Sequence, residues 1–285
     1  MTNKSYQKLV HDLFVWLLKN DQVDNDLTTS SLFSKNKIVN SQIITRQNIT
    51  AAGLEEIDYL VKTFTKLKIK HEIQDGDNIK KGGVLVEIKG EVKEILSYER
   101  VIINVLQRLS GIATQTKNLV KQINSDKPSV AATRKTQWGL LDKKAVAMGG
   151  GLTHRLSLSD GILVKDNHLM FLSAKETLIH LLKTVKQTLI EIEVEDEKSL
   201  KQLVQLFEET KTDNALGILL DNFTPEQAKK ILSKMNQHPN IVFEASGGIT
   251  KENISAWART GVDIISSGAL THSSKAADLS LEIKA

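Results

Sequence analysis

Three short segments, Thr133-Arg134-Lys135, Gly149-Gly150-Gly151-Leu152-Thr153-His154-Arg155 and Lys165-Asp166-Asn167-His168, crowd cations, glycines and imidazoles into one stretch of the chain. Arg134, Lys135 and Arg155 have no carboxylate beside them in sequence. The glycine triplet lets backbone N–H groups approach a ligand without interference from a Cβ. That combination suits a protein that holds phosphates or carboxylates. Arginine usage narrows the point, because of 38 basic residues only Arg46, Arg100, Arg108, Arg134, Arg155 and Arg259 are Arg. A guanidinium grips a carboxylate or phosphate through two parallel hydrogen bonds, and an ammonium cannot. Arg134 and Arg155 are read as anion-binding, Arg46 and Arg259 as ordinary surface residues.

Composition bounds the class. At 285 residues the chain can form one large domain or two modest ones. Apolar content of 40% and charged content of 25% are those of a soluble globular protein. No cysteine is present, so disulfides, thiolate metal sites and Cys nucleophiles are excluded. That fits a reducing, cytoplasmic location, and neither a signal peptide nor a membrane span is expected. Net charge is only +4, with Lys interleaved among acids, and aromatics total 5%. These features speak against nucleic-acid binding and for a small anionic substrate.

Hydrophobic spacing then places the elements. Leu9, Val10, Leu13, Phe14, Leu17 and Leu18 predict a helix over 6–19, with a strand near Ile43-Ile44 and a helix over 54–67. A Gly-punctuated β segment follows through Asp75-Gly76-Asp77 and Lys81-Gly82-Gly83 to the strand 84–88. A long helix is expected over 92–123, broken near Gly111. Beyond it the rhythm changes to strands at 130–133, 162–165, 189–194, 217–220, 241–245 and 262–266. Helices expected over 174–186, 197–209, 225–235 and 251–259 separate most of them. Such alternation implies a parallel sheet, and without a Gly-x-Gly-x-x-Gly fingerprint a closed or nearly closed α/β barrel. Barrel chemistry sits at the C-terminal ends of the strands.

Polar groups indeed follow all these strands: Arg134-Lys135, Lys165–His168, Glu193 and Glu195, Asp221-Asn222, Ser246-Gly247-Gly248, and Ser267-Gly268-Ala269. The two glycine loops, the first with Thr250 or a neighbour capping the next helix, form a ready phosphate site. Glu193 and Asp221 can coordinate Mg²⁺ bridging to a pyrophosphate, or accept from sugar hydroxyls. Glu191 and Glu195 share the parity of Glu193, so pattern alone leaves the choice among them open. His154, next to Arg155, is read as a ligand contact or general acid. His168 and His272 carry weaker cases. No zinc-site spacing and no nucleophile-elbow motif is present.

With these residues in view, the chain resembles the quinolinate phosphoribosyltransferases, also called carboxylating nicotinate-nucleotide pyrophosphorylases. The likeness runs through Asp26-Leu27-Thr28-Thr29, Glu99-Arg100, Leu109–Thr114, Thr133–Thr136, Gly149–Arg155, Lys165–His168, Glu191–Val194, Leu220–Phe223, Ser246–Ile249 and Gly268–Ser273. It implies an N-terminal α/β sandwich domain over 1–110, joined by the tail 272–285, and an open TIM-like α/β barrel over 111–271. It also implies a homodimer in which Arg100 reaches into the partner's site. By match of position, Arg134, His154, Arg155 and Lys165 would hold the two carboxylates of quinolinate, with Thr133 beside them. Lys135, Glu193 and Asp221 would handle phosphoribosyl pyrophosphate and its Mg²⁺ as the catalytic set. Ser246, Gly247, Gly248, Ser267, Gly268 and Ala269 would take the 5′-phosphate. The expected product is nicotinate mononucleotide, with release of pyrophosphate and CO₂, a step of de novo NAD biosynthesis.

One departure concerns Gln137-Trp138-Gly139, about two residues shorter than the family's usual Pro-Gly link after Thr136. A related group associated with molybdenum transport shares the Thr-Arg-Lys and Gly-Gly-Gly-x-x-His-Arg motifs, but typically lacks the Lys165–His168 segment present here. A non-catalytic barrel sensing an anionic metabolite is the reading from another class. Glu193 and Asp221 argue against it, because a sensor has no use for a metal-bridged leaving group.

Overall fold

The computed structural model describes residues 4–185, 189–235 and 238–284. The chain divides into two compact units, one of Met1–Lys117, Gln137–Gly150 and Ser273–Ala285, the other of Asn118–Thr136 and Gly151–His272. The first unit therefore runs past residue 110 and takes in Gln137–Gly150, which the sequence reading assigns to the barrel.

In the first unit, α1 (Lys4–Asp21) buries Val10, Phe14 and Leu18 along the expected stripe. Asp26 caps α2 (Leu27–Leu32) by accepting from the Thr29 amide at 2.9 Å, so this early motif serves a helix start. There follow β1 (Ile38–Thr45), β2 (Ile49–Thr50), α3 (Leu54–Phe64), β3 (Lys68–Lys70), β4 (Asn78–Ile79) and β5 (Val84–Glu91). The C-terminal strand Leu279–Lys284 pairs with β1 at the edge of a four-stranded antiparallel sheet that continues through β5 to β3.

The expected break at Gly111 is absent, and α4 runs unbroken from Val92 to Ile123. Gly111 has a different reason to be there: a Cβ at this position would collide with the Lys275 carbonyl oxygen. Close backbone approach, not helix breaking, requires the glycine.

The shortened link is closed by a single side chain. Asp142, on α5 (Leu140–Met148), is fully buried. It accepts from the Gln137 and Trp138 amides at 3.0 and 3.1 Å, and from Arg108 Nε and Nη2 at 2.9 and 2.7 Å. The Arg108 guanidinium also lies 5.1 Å from the Trp138 ring centre, within cation–π range.

The second unit contains β6 (Ser129–Ala132), β7 (Ile162–Val164), α6 (Asp166–Leu169), α7 (Ala174–Thr184), β8 (Ile190–Val194) and α8 (Glu197–Thr210). It continues with β9 (Leu216–Asp221), α9 (Pro225–Leu232), β10 (Ile241–Ser246), α10 (Ile254–Trp257), β11 (Ile264–Ser267) and α11 (Ala269–His272). The helix expected over 251–259 shrinks to the single turn of α10, and Lys186, at the expected end of α7, lies outside the described residues. All six strands are parallel, in the order β6-β11-β10-β9-β8-β7.

Ala132 and Thr133 at one edge of this sheet and Leu163 at the other line one cavity together with Leu219 and Ser266. A flat sheet could not bring its two edges to one cavity, so the sheet curls into an α/β barrel. The barrel is open, because β6 and β7 do not pair. On the free edge of β6, Leu152 makes a parallel bridge to Ala131, its amide donating to Val130 O at 2.7 Å. That bridge carries the His154-Arg155 segment alongside Thr133-Arg134. Among the described residues, no helix is long and apolar enough to cross a membrane.

Candidate active site

Strand register decides which side chains face the cavity, because successive residues point to opposite faces. Leu163 pairs with Glu191, Glu191 with Gly217, and Gly217 with Val242. Two residues on, Glu193 pairs with Leu219, Leu219 with Glu244, and Glu244 with Ile264. Asp221 and Ser246 form the next layer. The alternate positions Ile190, Ile192, Val194, Leu216, Ile218 and Leu220 are buried on the helix-facing side. β8 is therefore apolar outside and acidic inside, which a hydropathy pattern taken over the whole strand conceals.

The cavity measures about 400 Å³ and is lined by Thr133, Arg134, Lys135, His154, Arg155, Lys165, Asp221, Glu244, Ser246 and Gly247 among others. Neither Arg134 nor Arg155 forms an ion pair among the described residues. Arg155 Nη1 donates to the Gly161 carbonyl at 3.3 Å, whereas its Nε is buried without a partner. Burial first, then the charge of Arg134, depresses the pKa of Arg155. Two like charges held close, one with an orphaned donor, form a site that an anion completes.

Both nitrogens of His154 are occupied by protein groups. Nε2 lies 3.1 Å from Glu244 Oε2 and 3.4 Å from Glu191 Oε2. The Arg155 amide donates to Nδ1 at 2.7 Å. Burial alone would lower the imidazole pKa, and the Glu191 and Glu244 carboxylates beside Nε2 outweigh it and pull it upward. The amide opposes this pull, since an imidazolium would turn an N–H toward the Arg155 N–H. We therefore assign the ring as neutral in this arrangement, with its proton on Nε2. Burial raises the pKa of Glu191, with Glu244 beside it adding to the rise and His154 and Arg155 opposing it. The direct ligand contact expected of His154 finds no free ring nitrogen here.

Lys165 is also not bare: its Nζ donates to Glu193 Oε2 at 2.6 Å. Glu191 lies at His154 and Glu193 at Lys165, while Glu195, exposed just beyond the strand, keeps a carboxylate oxygen within 4.8 Å of those of Glu193 and Asp166. Asp221 Oδ2 accepts from its neighbour Asn222 at 3.0 Å. His168 locks a local turn, its Nδ1 accepting from the Lys165 amide at 2.9 Å.

The glycine loops act through bare backbone. Gly247 and Gly248 adopt φ of 91° and 59°. A Cβ on Gly247 would press to 3.1 Å from Asp221 Oδ1. The expected helix N-terminus contributes little, since α10 and α11 are single turns and Asn253, not Thr250, stands at the N-cap of α10. Ser267 is buried, and its Oγ donates to Ile249 O at 2.9 Å, tying the two loops together. Thr271 Oγ1 similarly donates to Lys135 O at 2.8 Å, and the Lys135 amide to Thr133 Oγ1 at 3.1 Å.

A larger cavity of about 700 Å³ lies outside β8, lined by Ile192, Val194, Leu203 and Leu206. Its charged rim is Asp166, Glu193, Glu195, Asp196 and Glu209, relieved only by Lys175. An anionic ligand would be repelled there, so the smaller, cationic cavity is the site.

Two family models match the chain: the N-terminal domain of quinolinate phosphoribosyl transferase over residues 26–110 and its C-terminal domain over residues 112–282. The chain belongs to the quinolinate phosphoribosyl transferase family. It is 38% identical, over 90% of this chain and 91% of the other, to a Methanocaldococcus jannaschii protein named probable nicotinate-nucleotide pyrophosphorylase (carboxylating). It is 33% identical to the Mycobacterium leprae nicotinate-nucleotide pyrophosphorylase (carboxylating), over 90% of this chain and 91% of that one. Among solved structures, the Francisella tularensis nicotinate-nucleotide pyrophosphorylase superposes with a TM-score of 0.87 at 32% identity, covering 97% of this chain and 96% of that chain. The Ehrlichia chaffeensis protein of the same name gives 0.85 at 33% identity, with full coverage of both chains.

Within this family fold, the cavity gathers Thr133, Arg134, Lys135, His154, Arg155, Lys165, Asp221, Ser246 and Gly247. Glu193 joins through Lys165, while Gly248, Ser267, Gly268 and Ala269 belong to the loops but are not in the lining. Arg100 is part of the first unit, exposed, with Glu99 at 3.8 Å as its ion-pair partner. Sequence reasoning missed Glu244. Its signal was a charge inside the apolar run Ile241-Val242-Phe243, at the parity of Ser246.

Proposed function

We propose that this chain transfers the phosphoribosyl group of phosphoribosyl pyrophosphate to quinolinate, with decarboxylation, giving nicotinate mononucleotide, pyrophosphate and CO₂ in de novo NAD biosynthesis. The observation that carries the reading is the Arg134–Arg155 pair, with Arg155 Nε buried and partnerless in a cavity of a few hundred cubic ångströms. A ring with two adjacent carboxylates supplies the missing charge and acceptors. The pyridine nitrogen attacks C1 of the ribose as the C1–O bond to pyrophosphate breaks through an oxocarbenium-like state. The pyridinium so formed makes loss of the 2-carboxylate as CO₂ feasible, and C2 then takes up a proton. Arg134 and Arg155 hold and orient the carboxylates, with Lys165 and Thr133 alongside. The bare amides around Gly247 and Gly248, with Ser246, Ser267, Gly268 and Ala269, take the 5′-phosphate.

The donor set at the mouth fits Mg²⁺. Asp221 and Glu193 offer hard carboxylate oxygens, and Mg²⁺ is commonly held by one or two carboxylates plus substrate phosphates. When bound, the ion neutralises charge on the departing pyrophosphate. Lys135 faces the same cavity and opposes that charge directly. With Glu193 paired to Lys165, Asp221 would be the principal protein partner of the ion.

The assembly in this reading is a homodimer in which the partner subunit's Arg100 completes each site. A cytoplasmic location accompanies it, as suits a chain without cysteine.

Incubation with phosphoribosyl pyrophosphate, Mg²⁺ and either quinolinate or nicotinate tests the reaction. Pyrophosphate and CO₂ from quinolinate alone are expected. Turnover of nicotinate alone, or tight binding without product, would refute it. Mixing inactive Arg100→Ala and Arg155→Ala dimers tests the shared site: subunit exchange should restore activity, and its absence would rule out donation across the interface.

A further inference from the structure

Glu191 and Glu244 take no part in the reaction drawn above. Burying two carboxylates is costly unless they serve a partner. They stand on β8 and β10, with β9 between them, and are 3% and 2% exposed. Nε2 of His154 donates to Glu244 Oε2 at 3.1 Å, and Glu191 Oε2, buried without a hydrogen bond, lies 3.4 Å from the same nitrogen. The intervening strand is cleared for this, because Gly217 lies opposite Glu191 and a Cβ there would press to 3.1 Å from Glu191 Cγ. His154 itself adopts a left-handed φ of 52°, a strained conformation at a non-glycine residue that persists only when its surroundings impose it. With Nδ1 taken by the Arg155 amide, the ring is spent entirely within the protein. What continues from it into the cavity is the guanidinium of Arg155. The same tautomer disfavours a metal at this cluster, since Nε2 carries the proton a metal would have to displace.

On the quinolinate reading above, we infer that Glu191 and Glu244 are positioning residues, acting through His154 to aim the Arg155 guanidinium at a substrate carboxylate. The acids hold the ring, the ring holds the Arg155 amide, and the amide sets where the side chain starts.

Steady-state kinetics of Glu191→Leu and Glu244→Leu test this. The KM for quinolinate should rise tenfold or more while that for phosphoribosyl pyrophosphate stays within twofold. Glu191→Gln, which keeps a carbonyl oxygen facing Nε2–H, should recover most of the loss. In a His154→Ala background, Glu191→Leu should add less than twofold. Equal rises in both KM values, or fully multiplicative effects with His154→Ala, would overturn the proposal. Should the leucine variants not fold, the two Gln variants carry the same comparison of KM values at smaller amplitude.

A second measurement does not depend on turnover. Histidine ¹⁵N NMR, with His154 assigned through His154→Ala, should show the Nε2–H tautomer in the wild type and its loss on Glu191→Gln/Glu244→Gln substitution. An imidazolium in the wild type, or a tautomer indifferent to both acids, would also refute the inference. A wild type inactive on quinolinate would refute the reaction instead and leave this readout standing.

Discussion

Burial, and after it the like charge of Arg134, depresses the proton affinity of Arg155, so the pair is two cations held close in a partly buried cavity. Such a pair opposes folding and favours anion binding. Arg134→Gln should therefore leave the thermal midpoint of the free protein unchanged or slightly raised, while quinolinate-dependent stabilisation disappears. Thermal scans with and without quinolinate check this, and a large fall in the midpoint of the free protein would show that Arg134 has a structural partner.

Arg155→Lys keeps the charge and removes the fork. We expect kcat/KM for quinolinate to fall at least about tenfold, equivalent to roughly 1.4 kcal/mol. A change within about twofold would mean that Arg155 does not grip the substrate.

Gly217 has ordinary backbone and no turn to serve, so its absent Cβ is its purpose. Gly217→Ala should force Glu191 to shift by tenths of an ångström and lower kcat/KM for quinolinate severalfold. Gly217→Val should be worse. Normal kinetics for Gly217→Val would show that Glu191 has room to move without consequence.

Asp142 accepts four hydrogen bonds, two of them from Arg108. Removing one partner of a buried pair leaves the other uncompensated, at about 3–5 kcal/mol. Asp142→Ala should lower the urea midpoint accordingly, with the slope of the transition retained. A loss under about 1 kcal/mol would show that Arg108 finds water or another acceptor.

His71 supplies a pH dependence of stability. Burial lowers its pKa, but Asp58, at 3.1 Å from Nε2, and the Ile73 carbonyl raise it by more, so the folded value lies above the unfolded one. Stabilisation from a raised histidine is fully present below the unfolded value of about 6.5 and is lost as pH rises through the folded value. Denaturant midpoints measured at pH 6 and pH 8 should therefore differ more in the wild type than in His71→Gln. An identical difference in both proteins would remove His71 from the account.

Much of this molecule was legible as text. Strand–helix alternation after residue 124 announced a parallel α/β barrel, and polar residues at the strand ends announced its mouth, because strand ends are where helix-covered sheets expose backbone and side chains. Gly111 misled, since a glycine inside a helical run reads the same whether it breaks the helix or admits a neighbouring chain. The helix after Gly248 was overextended, because local propensity does not register how soon the next strand must begin.

Residue type and order along the chain determined the family, the barrel and the cationic character of its opening, all of which depend on local periodicity and composition. Which acid serves which base was decided only in three dimensions. Glu191, Glu193 and Glu195 are indistinguishable by pattern. The register of β7 against β8 set Glu193 beside Lys165, and the turn at His154 brought its ring to Glu191 and Glu244. Pairings between residues 28 to 90 positions apart depend on register and loop path, and no short window of sequence contains either.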